Sequence, residues 1–281
     1  MKFVKMQSLG NDYIIINNIE NNLEKLKENK RKLITLSDRN IGIGANGIIF
    51  LEKSKIADYK IIIYNSDSTI AKTSGNGLLC IAKYLSLNGF INNKVSIETT
   101  NSINYIEIDK EKNYIKNIKV NMNKASLNPK LIPVLTEKNL FIDENINILN
   151  KDYKISCISV GNPYAIIFET KIDAINLNQI SKSIQYNYHF PEKVNVVFAE
   201  VINNKTIKIR TYEKGNAETK SCGSAACAVV ALYSLINNLK KNKEIIVEQK
   251  GGKLSLSINE KEDILLKGNS EYVYKGKILV K

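Results

Sequence analysis

The chain has 281 residues, 43% of them hydrophobic and 25% charged, enough to fill one large core or two smaller ones. Its longest apolar run, Ala225 to Tyr233, is about half of what a membrane helix needs. The polar start Met1-Lys2-Phe3-Val4-Lys5 is unlike a secretory signal, so a cytoplasmic protein with no membrane partner is expected. The net charge of +13 is carried by scattered lysines, because only Arg31, Arg39 and Arg210 of the 41 basic residues are arginine; that is poor equipment for reading phosphates or bases, and no nucleic-acid partner is expected.

In chain order, the first landmark is the turn Gly10-Asn11-Asp12 running into the apolar strand Tyr13-Ile14-Ile15-Ile16. Gly42-Ile43-Gly44-Ala45-Asn46-Gly47 has dinucleotide-loop spacing but leads into the strand-like Ile48–Leu51 instead of a helix, so a nucleotide site is rejected. A strand over 59–64 is followed by Ser74-Gly75-Asn76 and a helix over 75–87 that is apolar nearly all round. Strands are predicted over 94–99 and 114–122. Gly161-Asn162-Pro163-Tyr164 then repeats the first landmark. Further strands are predicted over 155–160, 164–168, 194–201 and 205–212, followed by Cys222-Gly223-Ser224 and a second all-apolar helix over 223–236. Strands over 244–249 and 253–258 follow, with a last one near 277–280.

Two echoes in the same order imply a duplicated unit. The expected fold is α+β: two pseudo-symmetric lobes, each a mostly antiparallel sheet or barrel wrapped around a central buried helix. The lobes are placed at 1–118, joined by a returning strand at about 270–281, and at 119–269.

The chemistry concentrates at the helix starts. Cys222 precedes the glycine that opens a buried helix, where unpaired N–H groups and the helix dipole should lower its pKa toward neutrality and make the sulfur a usable base. Cys80, Cys157 and Cys227 read as core packing. With no C-x-x-C pair and His189 as the only histidine, no metal site and no cofactor are expected. Ser74 is the first-lobe equivalent of Cys222 and also reads as an ordinary N-cap. If the two helix starts faced one another, their N–H groups would hold one carboxylate between two acid–base groups, an arrangement suited to inverting the carbon beside it.

At these residues the sequence resembles the diaminopimelate epimerase family, pyridoxal-independent two-thiol enzymes built from two lobes. The carriers are Leu9–Tyr13, Asn65-Ser66-Asp67, Ser74–Gly77, Gly161-Asn162-Pro163, Val194-Asn195, Tyr212–Gly215 and Cys222–Cys227. The resemblance implies Cys222 and the residue at position 74 as the acid–base pair, with Gly75, Asn76, Gly223 and Ser224 binding the reacting end of the substrate. It further implies that Asn11, Asn65, Asn162, Asn195, Glu213 and Lys214 hold the rest of a small amino-acid substrate, and that the protein is a homodimer.

The departures are Ser74 for cysteine, Lys214 for arginine, Gly47 for glutamine, Tyr164 for histidine and Leu79 for arginine. Ser74 reads as an introduced, near-isosteric replacement, with a non-catalytic binding protein as the other reading. The remaining departures shift the expected substrate from diaminopimelate, kept as the alternative, toward another amino acid such as histidine.

Overall fold

The computed structural model describes the chain except residues 21, 113, 215–216 and 279–281. It divides into two compact units, residues 1–121 with 267–281, and residues 122–266.

The first unit opens with β1 (Lys2–Ser8) and β2 (Asn11–Asn17), then the short helices α1 (Glu24–Glu28) and α2 (Lys30–Ser37). β3 (Gly47–Glu52) and β4 (Tyr59–Asn65) lead to the central helix α3 (Gly75–Leu87), and β5 (Lys94–Glu98), β6 (Ile103–Glu111) and β7 (Tyr114–Asn121) follow. In the second unit β8 (Glu144–Ile148), β9 (Lys151–Ser159) and β10 (Pro163–Phe168) precede helix α4 (Leu177–Gln185). β11 (Asn195–Asn203), β12 (Thr206–Tyr212) and the two-residue β13 (Glu218–Thr219) lead to α5 (Gly223–Ile236). β14 (Ile245–Gln249), β15 (Gly252–Ile258) and β16 (Ile264–Gly268) follow, and β17 (Glu271–Lys277) belongs to the first unit.

The strand pairings repeat. In the first unit β1–β2 is antiparallel, β2–β3 parallel, β3–β4 antiparallel, β4–β5 parallel and β5–β6 antiparallel. In the second, β9–β10, β10–β11, β11–β12, β12–β14 and β14–β15 follow the same alternation. The turns that start each series share a cause: Gly10 and Gly161 sit at φ 81° and 94°, left-handed values that glycine adopts without a Cβ penalty.

Each unit wraps its sheet around one helix. From Gly75 to Ala82 every residue of α3 is buried, and the helix packs on β1, β2 and β7; Gly223 to Leu232 of α5 is buried likewise, against β9, β10, β11 and β15. A helix with no wet face has nowhere else to go.

β17 pairs antiparallel with β1, so the returning strand spans Glu271–Lys277 and lies earlier than the expected 277–280, of which Leu279 and Val280 lie outside the described residues. Sequence reading passes over β1, β6, β8, β13 and β16 and the helices α1, α2 and α4. In β1 the lysine at position 5, polar by type, is buried at 6% exposure because it pairs with Asp12 at 2.8 Å. Lys27 is half-buried in α1, with its ammonium 2.5 Å from Glu52.

Candidate active site

The second unit presents a sulfur at the start of its central helix. Cys222 is the N-cap of α5, in extended backbone, and its N–H donates to Gln249 Oε1 at 2.7 Å. Beneath it lies Tyr164 of β10, 1% exposed, whose hydroxyl is 2.6 Å from Ser224 Oγ and 3.6 Å from Cys222 Sγ; Ser224 Oγ is itself 3.5 Å from the sulfur. Two hydroxyls and a thiol therefore form a closed triangle in the core.

The expectation of a lowered thiol pKa is corrected here. Burial, assisted by the charge of Glu213, pushes Cys222 up to about 12 despite the opposing effects of Ser224, Tyr164 and the Ala225 N–H. Desolvation outweighs the helix terminus because the sulfur is almost wholly removed from water, at 6% exposure. Tyr164 is raised well above its ordinary value by the same burial, so its phenol stays protonated. Cys80, Cys157 and Cys227 are fully enclosed, free thiols, as a packing role requires.

The first unit repeats this plan with an oxygen. Ser74 is the N-cap of α3; its Oγ accepts from the Gly77 N–H at 3.1 Å and lies 2.7 Å from the hydroxyl of Tyr13, 5% exposed on β2. Capping and the expected site position coincide in this one residue. Asn76 is buried and donates to the Ser8 carbonyl at 2.8 Å, which leaves its backbone at the helix start.

The remaining expected residues sit at strand ends or in the turns beside them, each in its own unit. Asn11 opens β2 and accepts from Asn46 at 3.0 Å; Asn65 ends β4 and donates to Thr69 at 3.0 Å. Asn46 is in turn held by Arg39, which grips Asp12 through two bonds of 2.9 and 2.7 Å. In the second unit Asn162 lies in the turn before β10. Asn195 opens β11 in register with Tyr164, donates to the Pro163 carbonyl at 2.9 Å and accepts from the Lys214 N–H at 2.8 Å. Glu213 follows β12 directly, and Gly223 and Ser224 form the first turn of α5. Gly215 of the motif lies outside the described residues.

Sequence reading misses the two tyrosine hydroxyls and Gln249. The signal for the tyrosines is present, since Tyr13 and Tyr164 occupy the same place in the two echoed segments. His189 is half-buried, with its Nδ1 2.7 Å from the Leu135 carbonyl. Among the described residues no group of three His, Cys, Asp or Glu side chains gathers as a metal site.

The sequence profile described as Diaminopimelate epimerase matches residues 3–128 and 156–273. A diaminopimelate epimerase from Acetivibrio thermocellus is 35% identical over 280 residues, 99% of this chain and 98% of the relative. One from Methanococcus maripaludis is also 35% identical, covering 99% of both chains. The chain belongs to the diaminopimelate epimerase family. The same fold recurs in a protein described as a probable proline racemase from Agrobacterium radiobacter K84, with TM-score 0.76, 15% identity, and 100% of this chain and 93% of that one covered. It recurs too in a PhzF-family phenazine biosynthesis protein from Bacillus anthracis, with TM-score 0.71, 18% identity, and 100% and 99% covered. As a member of this family the chain is an isomerase of the racemase and epimerase type, with a small-molecule substrate.

Proposed function

We propose that this member is a diaminopimelate epimerase, inverting one α carbon between the LL and meso forms with Cys222 and the residue at position 74 as its two acid–base groups. The observation that carries the reading is identity at the 35% level along nearly the whole chain to relatives of that name. A sulfur and a hydroxyl standing at equivalent helix starts in the two units support it.

In each turnover one group, as its anion, takes the α proton, and the other, protonated, delivers a proton to the opposite face. Charge developing on the α-carboxylate is met by the N–H groups of Gly75, Asn76, Gly223 and Ser224. A thiol pushed up to about 12 is scarce as thiolate at neutral pH, but each thiolate is a stronger base than an ordinary one, closer to what an α proton requires. Serine is the weaker member, since an alkoxide is harder still to form. We read Ser74 as a near-isosteric stand-in for the family's cysteine that slows turnover.

This substrate replaces the histidine-type expectation for a physical reason. Of the four departures that suggested a changed far end, Tyr164 is enclosed beneath Cys222 and Leu79 is fully buried in α3, so neither selects a distal group. Gly47 is dictated by packing, because a Cβ there would meet the Tyr64 carbonyl at 2.6 Å. Lys214, exposed beside Asn195, offers an ammonium to a second carboxylate. Asn11, Asn65, Asn162, Asn195 and Glu213 complete the proposed substrate contacts.

The test is deuterium wash-in at the α carbon with a panel containing LL-diaminopimelate and both histidine enantiomers, using the Ser74→Cys protein. Exchange confined to diaminopimelate is expected; exchange of histidine without diaminopimelate would overturn the substrate. The exposed Tyr272, Val273 and Tyr274 on β17 suit the homodimer the family implies, and sedimentation at monomer mass would reject it.

A further inference from the structure

We propose that Tyr13 and Tyr164 are paired positioning residues, one in each unit, whose phenol hydroxyls hold the acid–base atom at the start of that unit's central helix. Their part in turnover rests on the epimerase reading above; their hold on that atom does not.

Three observations carry this. First, the tyrosines are equivalent by topology, each on the second strand of its unit's repeated series, three residues beyond the left-handed glycine. Second, each hydroxyl reaches the N-cap side chain of a helix far along the chain: Tyr13 to Ser74 at 2.7 Å, and Tyr164 to Cys222 at 3.6 Å with Ser224 at 2.6 Å. No local turn explains the same long-range contact arising twice. Third, both rings are buried, at 5% and 1% exposure, and a buried phenol is held wherever its hydroxyl finds a partner.

The proton inventory shows what this hold does. With the thiol protonated, the Tyr164–Ser224–Cys222 triangle has three protons for three edges and can close as a ring. When the sulfur ionises, two hydroxyl protons remain, and they can be passed along the Tyr–Ser edge so that a donor always faces the anion. Tyr164, kept neutral by burial, supplies that donor without competing as a base. Glu213 is the charged group acting on the same sulfur, and in the opposite sense. In the first unit the arrangement is simpler: Tyr13 and the Gly77 N–H fix the single oxygen of Ser74 from two sides.

The test uses the full-length Ser74→Cys protein, which places a thiol at both positions, and follows iodoacetamide alkylation of residues 74 and 222 separately by peptide mass spectrometry across pH. A donor lost from a thiolate lowers the anion's population by roughly ten- to a hundredfold, partly offset by its greater nucleophilicity, so alkylation should slow roughly three- to tenfold. Tyr164→Phe should slow residue 222 and shift its profile to higher pH while leaving residue 74 unchanged; Tyr13→Phe should do the reverse. Loosened packing would speed alkylation, so a merely structural role predicts the opposite sign. Unchanged profiles, or both sites moving together in either variant, would overturn the proposal.

Deuterium wash-in then reports the catalytic consequence. Each variant should depress exchange of the one diaminopimelate stereoisomer deprotonated from its own side more than exchange of the other. Site-selective alkylation with no exchange of any substrate would leave the tyrosine hold standing and remove the epimerase reading instead.

Discussion

The two units repeat one frame and differ in the side chain that the frame holds. Both run the alternating series of strand pairings, both make its first turn through a left-handed glycine, and both bring a buried tyrosine hydroxyl to the N-cap residue of a helix whose first turns are buried. In the first unit that residue ends in oxygen, in the second in sulfur. Duplication preserved the frame around the N-cap side chain, and that side chain's acidity is a separate property, set by the atom and its desolvation. The strongest way to break the comparison is to remove the sulfur: Cys222→Ala should lower epimerisation by about 10²–10⁴-fold, measured by circular dichroism of the product, whereas Ser74→Ala, starting from a weaker group, should cost less. Equal losses would mean that the two positions already work alike.

The frame itself can be tested for equivalence. Leu79 in α3 and Leu232 in α5 are both fully buried, and each Leu→Ala should cost about 2–5 kcal/mol in urea unfolding through lost transfer energy and the cavity left behind. A cost confined to one helix would show that only that unit depends on its central helix. Next in size, Ser74→Cys should raise turnover about a hundredfold by replacing a hydroxyl with a group that ionises far more readily, read as the initial rate of deuterium wash-in. No gain would argue that the oxygen is the native working group and that the asymmetry is functional.

How much of this was legible beforehand varies with the range of the interaction. The helices from Gly75 and Gly223 and most strands can be read from local apolar pattern, and the duplication from the Gly10–Ile16 and Gly161–Ile167 echo. The burial of Lys5 was not, because it depends on an ion pair with Asp12 that a polar residue in a strand does not announce. Helix α4 was missed because Leu177–Gln185 is short and largely polar. At the site, the positions of Ser74 and Cys222 follow from sequence, but the acidity of Cys222 does not: the helix start that favours a thiolate is local, while the enclosure and Glu213 that oppose it are assembled from distant segments. The tyrosine hydroxyls escaped for the same reason, since strand alternation points both rings inward but says nothing of what they meet 61 and 58 residues later.

The smallest expected difference concerns the ion pairs that brace the two units. Asp12 in the first unit is raised by its burial, yet the bonds from Arg39, Lys5 and the Asn46 N–H together outweigh this and hold it below its ordinary 3.8. In the second unit the Arg210 guanidinium, bonded to Glu218 at 2.8 and 3.0 Å, holds that carboxyl below its ordinary 4.5 against the effect of burial. A carboxyl depressed in the folded state stabilises the protein above its unfolded pKa, and that contribution is lost as pH falls through the folded value. Arg39→Ala should therefore lower stability at neutral pH and lose its effect in acid well below 3.8, where Asp12 is protonated in either protein. The amplitude should be about 1 kcal/mol or less, because the Arg39 side chain is 58% exposed and screened by water. The Arg210 side chain is only 16% exposed and also donates to the Ile172 and Ile175 carbonyls at 2.8 and 3.0 Å, so Arg210→Ala should keep a deficit even in acid. Urea unfolding of both variants at neutral pH and in acid separates the cases: a deficit for Arg39→Ala that persists in acid would show that the arginine braces the Asp12 turn by packing and not by charge.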